Sequence, residues 1–129
     1  QTTDDLLREL RALVGEPVEI EVIASASPHV VSTDTALYRL IERVVGEHDP
    51  AGRVVPYLTV GFTDSCNYAR LGITCYGFTP LQLPPDLSFS ALFHGHNERI
   101  PVDGFGWGVR TFCEVVRRFV LTDRGSKGD

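Results

Sequence analysis

Five consecutive residues, His94-Gly95-His96-Asn97-Glu98, gather two imidazoles, an amide and a carboxylate around one glycine. Neutral imidazole nitrogen is a good zinc ligand, and His-x-His spacing puts both rings on one face where the backbone is extended. The glycine between them and the helical pattern that follows argue against extended backbone, which favours one ligand rather than two. The plainer alternative is a surface or helix-capping histidine. Asn97 and Glu98 suit bonding of backbone donors that holds the loop, and neither is assigned a catalytic role.

A second candidate is Gly61-Phe62-Thr63-Asp64-Ser65, placed where an expected strand ends. Open α/β sheets bind ligands at the carboxyl ends of their strands. The hydroxyl of Thr63 and free backbone amides at Gly61 and Asp64 could meet a substrate carboxylate or a developing oxyanion. The same residues also suit a helix N-cap, and the two roles are compatible. The glycines and lysine of a phosphate loop are missing. Cys66 with His94 as its base would make a cysteine hydrolase, although no spacing requires that pairing. His29 and His48 read as solvated, and Tyr76 and Trp107 as core aromatics.

These groups need a scaffold. The 129 residues, 43% of them hydrophobic, suffice for one compact core. The net charge of −5 comes from mixed charges, which argues against nucleic acid or an anionic membrane as partner. No apolar stretch approaches the roughly 20 residues of a membrane span. The three cysteines, Cys66, Cys75 and Cys113, match no zinc-finger spacing and read as buried free thiols in a reducing, cytoplasmic setting. The sequence lacks methionine, and Gln1 reads as a cut within a longer chain.

Thr3-Asp4-Asp5 can open a first helix with a Leu6, Leu10, Leu13 stripe that Gly15 closes. Val18, Ile20 and Val22 alternate with glutamates as a strand with one wet face. After the Ala24–Pro28 linker, Thr33-Asp34 can cap a second helix striped by Leu37, Leu40, Ile41 and Val44. Val54–Val60 and Ile73–Tyr76 read as strands, with Tyr68–Leu71 as a short helix between them. Gly77–Ala91, with three prolines, is expected to be a functional loop. A last helix to Val120 is expected to turn Phe105, Val109, Phe112, Val116 and Phe119 inward and Arg110, Glu114, Arg117 and Arg118 outward. Residues 124–129 read as a frayed tail. The order of these elements predicts an α/β layered architecture.

Taken together, the Gly-x-Thr-Asp-Ser turn, the Tyr76-Gly77-Phe78-Thr79-Pro80 loop and His94-Gly95-His96-Asn97-Glu98-Arg99-Ile100-Pro101-Val102 resemble part of a known family. It is the zinc-dependent family of acetylornithine deacetylase, succinyl-diaminopimelate desuccinylase, aminoacylase and related carboxypeptidases and dipeptidases. The resemblance is to the family's C-terminal part and runs from about Leu6 to Phe119. The loop looks most like the carboxypeptidase-type members.

The resemblance implies a fragment of a layered α/β zinc-peptidase catalytic domain, residues 26–123. It would be preceded by the last helix and strand of an α+β lid or dimerisation domain, residues 1–25. His94 matches the family's final metal-ligand histidine, and Gly61, Thr63 and Asp64 match the substrate-lining turn. The family hydrolyses an amide or peptide bond beside a free carboxylate, using water held by two zinc ions and a glutamate base. Phe62 and Cys66 depart from its usual glycine and arginine. The other metal ligands and the base have no counterpart here, so the chain alone is expected not to catalyse.

The implied partners are a small-molecule or peptide substrate and, in the parent, a second copy held through the lid. The competing reading is a non-enzymatic α/β binding or assembly module. A chain cut in this way is also expected to associate through strand edges or to pack its lid segment differently.

Overall fold

A computed structural model of the chain describes residues 2–26, 29–59, 61 and 63–125. Five helices form among the described residues: α1 (Thr3–Val14), α2 (Ala36–His48), α3 (Ser65–Ala69), α4 (Phe89–Leu92) and α5 (Val102–Gly125). The chain divides into two compact units, each made of two stretches of sequence. One is Gln1–Ser32 with Leu58–Tyr76, and the other is Thr33–Tyr57 with Gly77–Asp129.

No strand forms among the described residues, which overturns the expected α/β architecture, layered catalytic sheet and lid strand alike. Alternation of apolar and polar side chains fits one face of a strand to a core, but a ladder also needs a neighbouring segment to accept its hydrogen bonds. Val18–Val22, the described part of Val54–Val60, and Ile73–Tyr76 form no such ladder. Pro56 further removes one donor from the second. Their apolar residues accordingly stay open to solvent, with Val18, Val22, Val55, Leu58 and Ile73 all exposed.

In the first unit, Thr2 caps α1. Its hydroxyl accepts from the Asp5 amide at 3.2 Å, and the Asp5 carboxylate accepts from the Thr2 amide at 2.9 Å. This reciprocal box satisfies two otherwise free donors. The Thr2 amide, then Arg8, hold the Asp5 carboxyl below its ordinary range. Gly15 ends the helix at φ 77°, with its amide bonded to the Arg11 carbonyl at 3.0 Å. The cap is Thr2 rather than a residue of the expected Thr3-Asp4-Asp5, whereas Gly15 closes the helix as expected; no residue of α1 is buried and Leu13 is 82% exposed. The Tyr76 hydroxyl donates to the Ser32 carbonyl at 2.6 Å, and the aromatic is half-buried rather than core.

The core lies in the second unit, where α2 packs on α5. Thr35, rather than Thr33 or Asp34, caps α2 by accepting from the Tyr38 amide at 3.1 Å. Leu40, Ile41 and Val44 are buried, as their spacing predicts. On α5 the expectation fails. The buried residues are Gly104, Gly108, Thr111 and Val115, whereas Phe105, Val109, Phe112, Val116 and Phe119 are all exposed.

Close approach explains the choice of face. A Cβ on Gly104 would lie 1.9 Å from the Gln82 carbonyl oxygen, and one on Gly108 would lie 1.9 Å from that of Pro80. The proline-rich loop therefore lies directly against the glycine face of α5, where no larger residue fits.

Arg118 joins the two helices. It donates to Glu47 of α2 at 2.7 and 3.0 Å and to Glu114 of α5 at 2.6 Å, while Arg117 grips Glu114 through two bonds of 2.7 and 2.8 Å. Arg117 first, then Arg118, hold the Glu114 carboxyl down to about 2, and Arg118 lowers Glu47 likewise. Glu114 and Arg118 are half-buried rather than turned fully outward. Helix α5 continues to Gly125, past the expected end at Val120, and residues 126–129 of the expected tail lie outside the described residues.

Candidate functional site

His94 to Glu98 forms the turn that connects α4 to α5. The Gly95 amide bonds the Leu92 carbonyl at 2.9 Å. A Cβ at Gly95 would come within 2.6 Å of the Ala91 carbonyl oxygen, so the turn needs glycine there. His94 and Asn97 both take left-handed backbone, at φ 56° and 58°. Asparagine visits this region readily, whereas a histidine is held there at a cost of about 1 kcal/mol.

The His94 ring lies 4.0 Å, centroid to centroid, from Phe93, which stacks on Phe89 at 5.2 Å. Arg99 donates to the Asn97 carbonyl at 3.1 Å. Every residue from Phe93 to Ile100 is exposed. The turn thus presents the His94 imidazole to solvent from a backbone fixed on both sides, able to offer one ring nitrogen to a ligand. The extended backbone that would align His94 with His96 does not form.

At the other candidate, the Thr63 hydroxyl accepts from the Ser65 amide at 3.3 Å, and the Cys66 thiol donates to the Thr63 carbonyl at 3.2 Å. The Asp64 carbonyl accepts from the amides of Asn67 and Tyr68 at 2.9 and 3.1 Å. The Asp64 side chain makes no capping bond to α3. Gly61, Thr63 and Asp64 are exposed, and Phe62 lies outside the described residues. The turn belongs to the first unit and His94 to the second. No single unit brings these residues together.

Among the described residues, no three or more His, Cys, Asp or Glu side chains converge as a metal site. A tetrahedral zinc site needs about four donors, so this chain's residues do not by themselves fit the ion. The three cysteines are free, but none is buried as expected. Cys66 and Cys75 are half-buried and Cys113 is exposed.

A polar cluster that the sequence reading missed ties α2 to α5. His48 Nδ1 lies 2.8 Å from Thr111 Oγ1. The Thr111 hydroxyl donates to the Trp107 carbonyl at 3.0 Å, and the Trp107 indole N–H donates to the His48 carbonyl at 3.3 Å. Thr111 is fully buried, and Trp107 is half-buried rather than core. His48 therefore is not simply solvated. Its spacing of four from buried Val44, on one helix face, was the available signal.

No protein-family model matches the chain, and no solved structure matches it at a significant level. Three curated relatives do. The chain is 32% identical over 121 residues to the N-fatty-acyl-amino acid synthase/hydrolase PM20D1.1 of Danio rerio, covering 91% of this chain and 23% of that protein. It is 30% identical over 122 residues to PM20D1 of Mus musculus, with 91% and 24% covered, and 28% identical over 120 residues to PM20D1 of Xenopus tropicalis, with 91% and 23% covered. Both of these carry the same synthase/hydrolase description. The chain thus spans about a quarter of the length of the curated relatives it matches. The similarity is thus to one part of these synthase/hydrolases, and not to the individual members that the motifs resemble.

Proposed function

We propose that the chain is the C-terminal portion of a zinc-dependent hydrolase that cleaves an amide or peptide bond beside a free carboxylate. The observation that carries this reading is the 32% identity, across 91% of the chain, to an N-fatty-acyl-amino acid synthase/hydrolase. An N-acyl amino acid has an amide bond next to a free carboxylate, the substrate class already implied by the motifs. Within that broad family the loop from Tyr76 to Pro80 still argues for a carboxypeptidase-like arrangement. In this reading His94 supplies one metal ligand, Gly61, Thr63 and Asp64 line the substrate side, and the division between lid and catalytic portions falls near residue 25. The free state of Cys66, Cys75 and Cys113 supports a reducing, cytoplasmic setting in this reading.

Since no zinc site assembles among the described residues, this reading assigns the remaining ligands and the base to other parts of the parent, and expects the 129 residues alone to be inactive. The same shortage of ligands favours the second reading, a binding or assembly module without chemistry.

The test is hydrolysis of an N-acyl amino acid by the full-length parent, with and without a chelator, for wild type and His94→Ala. Zinc-restorable activity that falls at least roughly 100-fold in His94→Ala supports the enzyme reading. A parent that binds no zinc, or whose activity ignores His94, supports the module.

A further inference from the structure

His94 occupies the most demanding position of its turn. The Leu92 carbonyl accepts from the Gly95 amide at 2.9 Å, and Phe93 lies at φ −62° and ψ 115°. With His94 at φ 56°, residues 92–95 make a type II turn, whose third position favours glycine or asparagine. A histidine there raises the energy of the fold. Stability alone would select another residue, and a strained side chain that persists points to a use for the imidazole.

The ring is held as well as the backbone. An exposed imidazole ordinarily samples several rotamers. Here it lies 4.0 Å from the Phe93 ring, tilted by 40°. Phe89, one helical turn earlier, steadies Phe93 in the same way, its ring stacked at 5.2 Å and 24°. The Phe93 amide also closes α4 by donating to the Phe89 carbonyl at 2.9 Å. The support therefore runs from the helix to the imidazole through one short stretch of chain. No three metal-binding side chains converge among the described residues, so the donor set is too small for an ion to build this turn.

We propose that Phe93 is a positioning residue, which sets the orientation of the His94 ring in the metal-free chain. A donor that is already fixed loses less conformational freedom when it binds. Contacts outside the ligand shell orient ligating histidines in the same manner. The purpose of holding His94 rests on the enzyme reading. The hold itself needs only this chain.

Nuclear magnetic resonance of the 129-residue chain, free of metal, tests it. Wild type should show short proton–proton contacts between the Phe93 and His94 rings, with the His94 ring protons displaced by the Phe93 ring current. Phe93→Leu keeps the bulk and loses the ring. It should remove the displacement while circular dichroism shows unchanged helix content, and Phe93→Tyr should retain it. Micromolar zinc chloride should leave the ring contact as it was. His94→Gly should raise the denaturant midpoint, because glycine takes left-handed backbone freely.

Rings without contact in the metal-free wild type, or a contact that forms only with zinc, overturns the proposal. So does a displacement that survives Phe93→Leu or is absent from Phe93→Tyr, or a midpoint lowered by His94→Gly. If Phe93→Leu loses helix, the wild-type ring contact and its response to zinc still decide. Hydrolysis by the parent is a separate readout. Its absence removes the enzyme reading, whereas these signals decide the turn.

Discussion

Helices α2 and α5 pack against each other and carry equally clear apolar stripes, yet they bury different kinds of residue. In α2 the stripe and the buried face coincide at Leu40, Ile41 and Val44. In α5 the stripe of phenylalanine and valine faces solvent, and the buried face is built from two glycines, a threonine and a valine. Burial follows the distance that the surrounding backbone allows as much as it follows hydrophobicity. Where a loop carbonyl approaches as closely as those of Gln82 and Pro80 do, only a residue without a side chain can face it.

The sharpest way to break this contrast is to add one carbon to α5 at two neighbouring glycines. Gly108→Ala should destabilise the chain by about 3 kcal/mol, because its Cβ collides with a backbone carbonyl that cannot rotate away. Gly106→Ala, with open space and better helix propensity, should stabilise by about 0.5–1 kcal/mol. Denaturant midpoints of the pair settle the matter, and two shifts of the same sign would refute the close-approach account.

A smaller effect is expected at the polar centre of the same interface. Thr111→Val keeps the volume but removes the hydroxyl that bonds both Trp107 and His48, and should cost about 1–2 kcal/mol in urea unfolding. A neutral outcome would mean that the α2–α5 contact rests on its apolar residues alone.

The smallest effect concerns charge. The folded Glu114 carboxyl titrates near 2 against an ordinary value of 4.5, and Glu47 is shifted in the same direction. A lowered carboxyl contributes its stability above the unfolded value, and that contribution is lost as pH falls from 4.5 toward 2. Both partners reach solvent, so the change should be slight. Comparing unfolding midpoints at pH 5 and pH 2.5 for wild type and Arg118→Gln isolates it. A wild type with no extra acid loss over the variant would assign the bridge no role in stability.

The legible features of this fold are local ones. Thr3-Asp4-Asp5 placed the start of α1 within one residue of its true cap, Thr2, and Gly15 marked its end, because capping needs only residues three or four apart. The buried stripe of α2 is readable for the same reason. The expected strands are not, since alternation at Val18, Ile20 and Val22 says nothing about a pairing partner elsewhere in the chain. The face of α5 failed because the rule that larger apolar side chains turn inward cannot anticipate a loop pressed onto glycine.

At the candidate site, the sequence identified His94 as a residue able to bind metal and Thr63 as a hydroxyl in a turn. It could not indicate that His94 adopts left-handed backbone, a conformation that no local residue pattern here announces. His48 was overlooked because its partner, Thr111, lies 63 positions away.

The Thr111 hydroxyl has a single hydrogen, and the carbonyl of Trp107 takes it. Its oxygen can therefore only receive from His48, so the imidazole must carry a proton on Nδ1 and, when neutral, a lone pair on Nε2. The junction between the two helices thus contains a histidine whose tautomer is set by a threonine that has already spent its only hydrogen on its own helix.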